Sequence, residues 1–282
     1  MRKKFEGVLI ASDYDNTMVF TESALRSGGD MPHLSAGNRA AIEYFIAEGG
    51  TFSVATGRAL PAFDAVRRGL PMNGPTVLFN GAAIYDYAKG AYLYTAFLPE
   101  AVRGHVEEVL AAYPRAACEI YHDDNTIHAL QPNALTARHE HLTHSPTQTA
   151  ASMAEIPSPI SKALFEIDAP ELAELERFVR SRPWAGGYEI IPSSNYLLEL
   201  TVKGANKGGM VEKLAQLLDI ERAHVYCVGD HANDIPMLRF SRIPFAPANA
   251  IESVLQLPGL HRLPDCREDA IAAMIGEIDA LY

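Results

Sequence analysis

The chain has 282 residues, with 24 Lys+Arg against 35 Asp+Glu and a formal net charge of −11. At about 150 residues per domain this fits one large domain or two modest ones, and 48% hydrophobic with 21% charged residues describes a packed globular chain rather than a disordered one. The acidic balance excludes the broad basic surface that nucleic acid or an anionic membrane requires; a small anionic substrate stays open, because a bound cation reverses the local field.

The first third alternates strand and helix. After a basic start the apolar stretch is only about five residues, too short for a signal-peptide core, so Val8–Ala11 is expected to be a buried strand. A polar loop follows from Thr21 to about His33, long enough to touch a second domain or a neighbouring subunit. Ser35 is placed to cap a helix whose apolar positions are Ala41, Ile42, Phe45 and Ile46, and Gly49-Gly50 ends it. Thr51–Ala55 and Thr76–Phe79 read as strands with a helical stretch between them. The longest charge-free stretch, Gly69–Tyr85, carries prolines, glycines and Asn73, which rules it out as a membrane span. Strands separated by helices predict a parallel sheet with right-handed crossovers.

The middle has a different texture. Tyr92–Phe97 alternates as a half-exposed antiparallel strand does. Pro99 opens a helix with Val102, Val106, Val109 and Leu110 on one face. Strands are expected near Ala117–Tyr121 and Thr126–Leu130, then a polar segment from Gln131 to Pro159. Another strand (Ile160–Ile167), a helix from Pro170, and strands near Tyr188–Ile191 and Tyr196–Val202 complete an α+β unit. The last part returns to the first pattern: a helix over Lys207–Leu218, a strand over His224–Val228, a helix through Met237-Leu238 and a strand near Ile243–Ala246. The predicted architecture is therefore α/β: a Rossmann-like parallel-sheet core (residues 1–82 plus 190–282) with an inserted α+β domain over 83–189.

Four constellations stand at predicted strand ends or helix starts, the edge where open α/β sheets bind ligands. Asp13-Tyr14-Asp15-Asn16-Thr17 puts two carboxylates two residues apart at the end of the first strand, a nucleophile and an acid–base partner for one cavity. Thr56-Gly57-Arg58 offers a hydroxyl, free backbone N–H groups and a cation for a phosphate. Lys207 sits among glycines at a helix start, where an ammonium opposes the macrodipole and suits an anion ligand better than a structural role. Gly229-Asp230-His231-Ala232-Asn233-Asp234 supplies two acids and an amide, oxygen ligands for a hard cation such as Mg²⁺.

In this order, together with Phe79–Asp86, Leu197–Gly209 and Pro247–Ala250, these motifs resemble the haloacid dehalogenase-like hydrolase superfamily, specifically its Cof-type phosphatases with a large α/β cap. The resemblance implies that Asp13 attacks phosphorus and that Asp15 protonates the leaving alcohol and then activates water. It implies Mg²⁺ held by Asp13, the Asp15 carbonyl and Asp230, supported by Asp234. Thr56, Gly57 and Lys207 then bind the phosphoryl group, and Asn233 orients Lys207 or the phosphate. Arg58, Asn80 and Gly81 are candidates on the substrate or cap side. An acid that donates to the leaving group must be protonated when substrate binds, so Asp15 is expected to titrate above Asp13. Tyr14 and Asn16 depart from the family's usual aliphatic residue and glycine, and His231 and Ala232 from its small residues.

The expected activity is Mg²⁺-dependent hydrolysis of a small phosphomonoester, a sugar phosphate or similar. A sugar phosphomutase would use the same residues, and a receiver-like regulatory module or a degenerate member is the reading from another class. Receivers are about 120 residues with no inserted domain, a single domain's length, against 282 residues and an inserted unit here. Cys118, Cys227 and Cys266 lie far apart, which suits a reducing cytoplasm and no disulfide. His139, His141 and His144 have metal-like spacing, but a solvated cap segment explains them equally well. Trp184 is read as packing.

Overall fold

The computed structural model describes residues 3–21, 32–143 and 145–282. Most of the Thr21–His33 loop, and His144, lie outside them. In chain order the elements are β1 (Leu9–Ser12), α1 (Ala36–Ala47), β2 (Thr51–Val54), α2 (Leu60–Val66), β3 (Thr76–Leu78), β4 (Ala83–Asp86) and β5 (Ala91–Thr95). Then come α3 (Val102–Ala112), β6 (Ala117–Tyr121), β7 (Ile127–Leu130), α4 (Ala134–Thr143), β8 (Gln148–Ala150), β9 (Lys162–Glu166), α5 (Ala169–Arg180), β10 (Tyr188–Pro192) and β11 (Leu197–Val202). The chain closes with α6 (Lys207–Leu217), β12 (Val225–Val228), α7 (Ile235–Phe240), β13 (Pro244–Pro247), α8 (Glu252–Leu255), β14 (His261–Leu263) and α9 (Ala270–Asp279).

These elements form two compact units. The first comprises Met1–Thr56, Val66–Leu93 and Lys207–Tyr282. Its main sheet runs β14-β13-β12-β1-β2, with every pairing parallel. β1 and β12 are wholly buried, as their continuous apolar runs require in a sheet covered on both faces. Leu9, Ala11, Val225 and Cys227 pack one face against Val211 and Leu214 of α6 and Met237 of α7. Ser35 caps α1 as expected, its hydroxyl accepting from the Asn38 N–H. Register positions the site: Ser12 lies opposite both Val228 and Val54, so Asp13, Gly229 and Ala55 leave the sheet side by side. β3 continues from β2 through a parallel bridge between Ala55 and Val77, then pairs antiparallel with β4.

The second unit comprises Gly57–Ala65 and Tyr94–Asn206. Its sheet runs β10-β11-β9-β6-β7-β8, antiparallel except between β7 and β8. Cys118, Ile120, Ala163, Phe165, Leu198 and Leu200 bury one face under the apolar stripes of α3 (Val102, Val106, Val109) and α5 (Leu172, Leu175, Val179). Trp184 packs against the same core and stacks on His105, with ring centroids 4.5 Å apart.

Three differences from the sequence reading have physical causes. Ala83–Asp86 bonds back to β3, so the first unit extends about ten residues past the expected boundary at 83, to Leu93. β11 lies between β10 and β9, so the expected return to the core at 190 moves to Lys207. A strand's partners are set by register, which hydrophobic alternation along one segment does not carry. Finally, the polar Gln131–Pro159 stretch contains α4 and β8. Thr136 is the one buried residue of α4, so the helix lacks the apolar stripe that announces one.

Candidate active site

The loop after β1 begins as a continuation of the sheet, the Asp13 N–H donating to the Val228 carbonyl at 2.9 Å. Tyr14 is 2% exposed, so it fills the apolar position between the acids as an aliphatic residue would. The chain then turns sharply. The N–H groups of Met18 and Val19 return to the Tyr14 carbonyl, and the Asn16 N–H reaches the Val19 carbonyl at 2.7 Å. Asn16 adopts φ 58°, a left-handed conformation that asparagine tolerates, which accounts for an asparagine where the family uses glycine. Asn249 holds this turn from across the fold, donating to the Asn16 carbonyl at 2.8 Å while accepting from the Cys266 N–H at 2.9 Å. The Asp15 carboxylate accepts from the Thr21 hydroxyl at 2.7 Å.

At the centre lies Lys207, the first residue of α6 and 1% exposed. Its ammonium donates to Asp13 Oδ1 and to Asp234 Oδ1, each at 2.6 Å. The other oxygen of Asp234 accepts the N–H groups of Asp230 and His231, both at 3.0 Å, and so fixes the loop after β12. Asp230 accepts from the Thr17 hydroxyl at 3.1 Å. Carboxylate oxygens of Asp13, Asp230 and Asp234 all lie within 4.8 Å of one another, and all three residues are buried. Two glycines permit this convergence. A Cβ on Gly229 would come 2.5 Å from Asp234 Cβ, and one on Gly208 2.5 Å from the Pro236 carbonyl carbon.

The electrostatics follow from three buried acids around one ammonium. Burial, only partly offset by Lys207, pushes Asp13 up to about 7. Burial, then the charges of Asp13 and Asp234, push Asp230 up to about 9. Burial works to lower Lys207, but Asp13 and Asp234 outweigh it and hold the ammonium above its ordinary range. With all four groups ionised the cluster carries two negative charges in excess. Hard oxygen donors with that surplus suit a divalent cation such as Mg²⁺, so the residues present fit the expected metal.

The structure thus brings Asp13, Asp230, Asp234 and Lys207 together. Thr56, the last residue before the first unit's break, is buried, with its N–H on the Val77 carbonyl. Gly57 and Arg58 are half-buried and belong to the second unit. Asn233 does not reach Lys207: its amide donates to Asn80 Oδ1 at 2.9 Å. Asn80 is buried at φ 55°, between Phe79 (φ 53°) and Gly81 (φ 108°), a run of three left-handed residues braced by that contact and by the Asn80 N–H on the Thr56 carbonyl. Thr17, Thr21 and Asn249 join the site beyond the residues the motifs single out. Thr17 and Asn249 stand inside the motifs Asp13–Thr17 and Pro247–Ala250; nothing local marks Thr21, whose partner is set by the turn geometry.

A family model described as haloacid dehalogenase-like hydrolase matches residues 10–275. A stretch of 99 residues is 40% identical to the YxeH protein of Bacillus subtilis, spanning 34% of this chain and 36% of that one. Over nearly full length the chain is 23% identical to the Bacillus subtilis 5-amino-6-(5-phospho-D-ribitylamino)uracil phosphatase YitU, covering 97% of this chain and 98% of that one. It is 28% identical to the HMP-PP phosphatase of Yersinia pseudotuberculosis over 79% of this chain and 81% of that one. The fold resembles a haloacid dehalogenase-like hydrolase from Bacteroides thetaiotaomicron, with a TM-score of 0.78, 23% identity and coverage of 98% and 100%. The chain belongs to the haloacid dehalogenase-like hydrolase family, among its Cof-type phosphatases.

Proposed function

We propose that this cytoplasmic enzyme hydrolyses a small phosphomonoester, a sugar phosphate or similar, through a phosphoaspartate on Asp13. The observation that carries the reading is the buried convergence of Asp13, Asp230 and Asp234 on Lys207 at the C-terminal edge of β1 and β12. The name of the relative YitU, a phosphatase of a phosphorylated ribityl compound, supports the substrate class.

An oxygen of Asp13 attacks phosphorus, and the P–O bond to the alcohol breaks. Asp15 gives its proton to the departing alkoxide. Water, deprotonated by Asp15, then attacks the phosphoaspartate and frees phosphate and Asp13. Lys207 neutralises negative charge beside Asp13 throughout, and Asp234 holds the ammonium in place. Thr56 and Lys207 receive phosphoryl oxygens, with backbone N–H groups near Asn16. Asp13, the Asp15 carbonyl and Asp230 would hold Mg²⁺, with Asp234 behind them. When bound, the ion neutralises charge on the acids and the phosphoryl oxygens.

Phosphate release across a panel of phosphomonoesters, with Mg²⁺ and with chelator, tests the reading. Cation-dependent release lost in Asp13→Asn is expected. Retained activity in that variant overturns the mechanism, and phosphomutase activity on a sugar monophosphate, with sugar bisphosphate added, that exceeds phosphate release replaces the hydrolase with a phosphomutase.

A further inference from the structure

The second unit contains a buried polar cluster that the proposed reaction does not use. Register puts Glu119 opposite Leu164, Tyr121 opposite Lys162 and Ala117 opposite Glu166, so these side chains share one face of the β6–β9 pair. The alternate residues, Cys118, Ile120, Ala163 and Phe165, turn to the apolar core. Glu199 of β11 lies opposite Leu164, on the polar face, and pairs with Lys162 at 3.1 Å. His139 reaches this face from α4. The sequence offered His139 as part of a solvated segment; instead its side chain is only 12% exposed and meets two buried glutamates.

The distances have the form of a ligand set. His139 Nδ1 lies 3.0 and 3.1 Å from the two oxygens of Glu119 and 3.5 Å from Glu166 Oε1. Ligand atoms about 2.0–2.2 Å from a tetrahedral ion stand about 3.3–3.6 Å apart, close to this spacing. The supporting hydrogen bonds leave one oxygen of each glutamate for a ligand role: Thr136 donates to Glu166 Oε2 and Tyr121 to Glu119 Oε2, each at 2.5 Å, while Glu166 Oε1 and Glu119 Oε1 face the imidazole. Glu166 Oε1 is fully buried and has no hydrogen-bond partner, yet it faces the imidazole. A buried carboxylate oxygen in that position calls for a partner.

Charge points the same way. Against burial, Glu119 and Glu166 hold His139 above its ordinary range, and burial pushes Glu166 up to about 7, so protons offset the excess of buried acids on this face. A divalent cation would take the place of those protons. An imidazole nitrogen with two carboxylates favours a transition ion over Mg²⁺, which prefers an all-oxygen shell.

We propose that Glu119, His139 and Glu166 form a second metal site, within the inserted unit, that takes Zn²⁺ with three protein ligands and one open position. Binding releases the Nδ1 proton to solvent, leaves the neutral imidazole protonated at Nε2 so that the Nδ1 lone pair meets the ion, and ties α4 to β6 and β9. The site is separate from the Asp13 cluster in residues and in unit.

The test uses the full chain stripped by chelator and titrated with Zn²⁺, and with Co²⁺ as a spectroscopic stand-in. To silence the first cluster, Asp13→Asn/Asp230→Asn is prepared in parallel. One tightly bound equivalent of Zn²⁺ in the silenced protein, with visible Co²⁺ bands of a tetrahedral N/O site and a raised thermal midpoint, is expected. Adding Glu166→Gln or His139→Gln, with the fold checked by circular dichroism, should abolish both the equivalent and the bands. No bound equivalent in the silenced protein overturns the proposal, as does an equivalent that survives both substitutions. Should a variant not fold, wild type held in excess Mg²⁺ still decides: one tightly bound equivalent of Zn²⁺, with Co²⁺ bands of a nitrogen-containing site, supports the proposal, and no such equivalent refutes it.

Discussion

Substituting Lys207→Met probes the centre of the candidate active site. Methionine keeps most of the length and volume but removes an ammonium that touches Asp13 and Asp234 at 2.6 Å each. At an effective dielectric of 20, Coulomb attraction at that distance is about 6 kcal/mol per contact. The ammonium gives back much of this as desolvation, since it is 1% exposed. Breaking a buried ion pair by deleting one partner costs about 3–5 kcal/mol, because the charge left behind stays buried. At about 2–4 °C per kcal/mol for a domain of this size, the thermal midpoint should fall by roughly 6–20 °C. The loss should be largest above pH 7, where Asp13 is ionised, and smaller in acid, where it takes up a proton. Saturating Mg²⁺ should restore part of it. In the same variant phosphate release should fall by about 10²–10³, the usual consequence of removing one preorganised charge-stabilising donor. The measurements are thermal unfolding at pH 5 and pH 8, with and without cation, and release from a chromogenic phosphomonoester. A midpoint at pH 8 without cation within a degree or two of wild type would refute the reasoning.

Three further outcomes follow from the same geometry. Without metal, Asp13 and Asp230 titrate near 7 and 9 in the folded chain against 3.8 ordinarily, so folding takes up protons. Their favourable contribution is whole below about pH 4 and is lost as pH rises through 7 and then 9; chemical denaturation across that range should show stability falling, and Mg²⁺ should flatten the fall. Gly208→Ala places a Cβ 2.5 Å from the Pro236 carbonyl carbon, a backbone atom. Overpacking of this kind costs about 1–3 kcal/mol, more than the helix propensity of about 1 kcal/mol that alanine returns, so urea unfolding should register a net loss. Asp15→Asn should abolish the limb of the pH–rate profile that reports the general acid; a profile identical in shape to wild type would remove Asp15 from that role.

Much of the site was legible because each motif is a local event. Asp13, Asp230 and Thr56 each follow an apolar run, and such runs end at one edge of a parallel sheet. Asn16 replaces a glycine but still satisfies φ 58°, so the departure from the family's pattern had a local answer too. The pairings among these groups were not legible. Lys207 reaches Asp13 across 194 residues, and Asn233 donates to Asn80, a contact across 153 residues to a residue in the left-handed run Phe79–Gly81.

The sequence by itself determined the alternating α/β core, the inserted α+β unit and the acids at the strand ends, because hydrophobic period and turn chemistry are written in neighbouring residues. The tertiary structure decided what period cannot express. It placed β11 between β10 and β9, moving the boundary of the inserted unit to Lys207. It folded the polar stretch around His139 into a helix and turned that imidazole onto Glu119 and Glu166. Both depend on which faces meet across strands and helices far apart in the chain. One residue's shift in strand register would reverse every one of those faces.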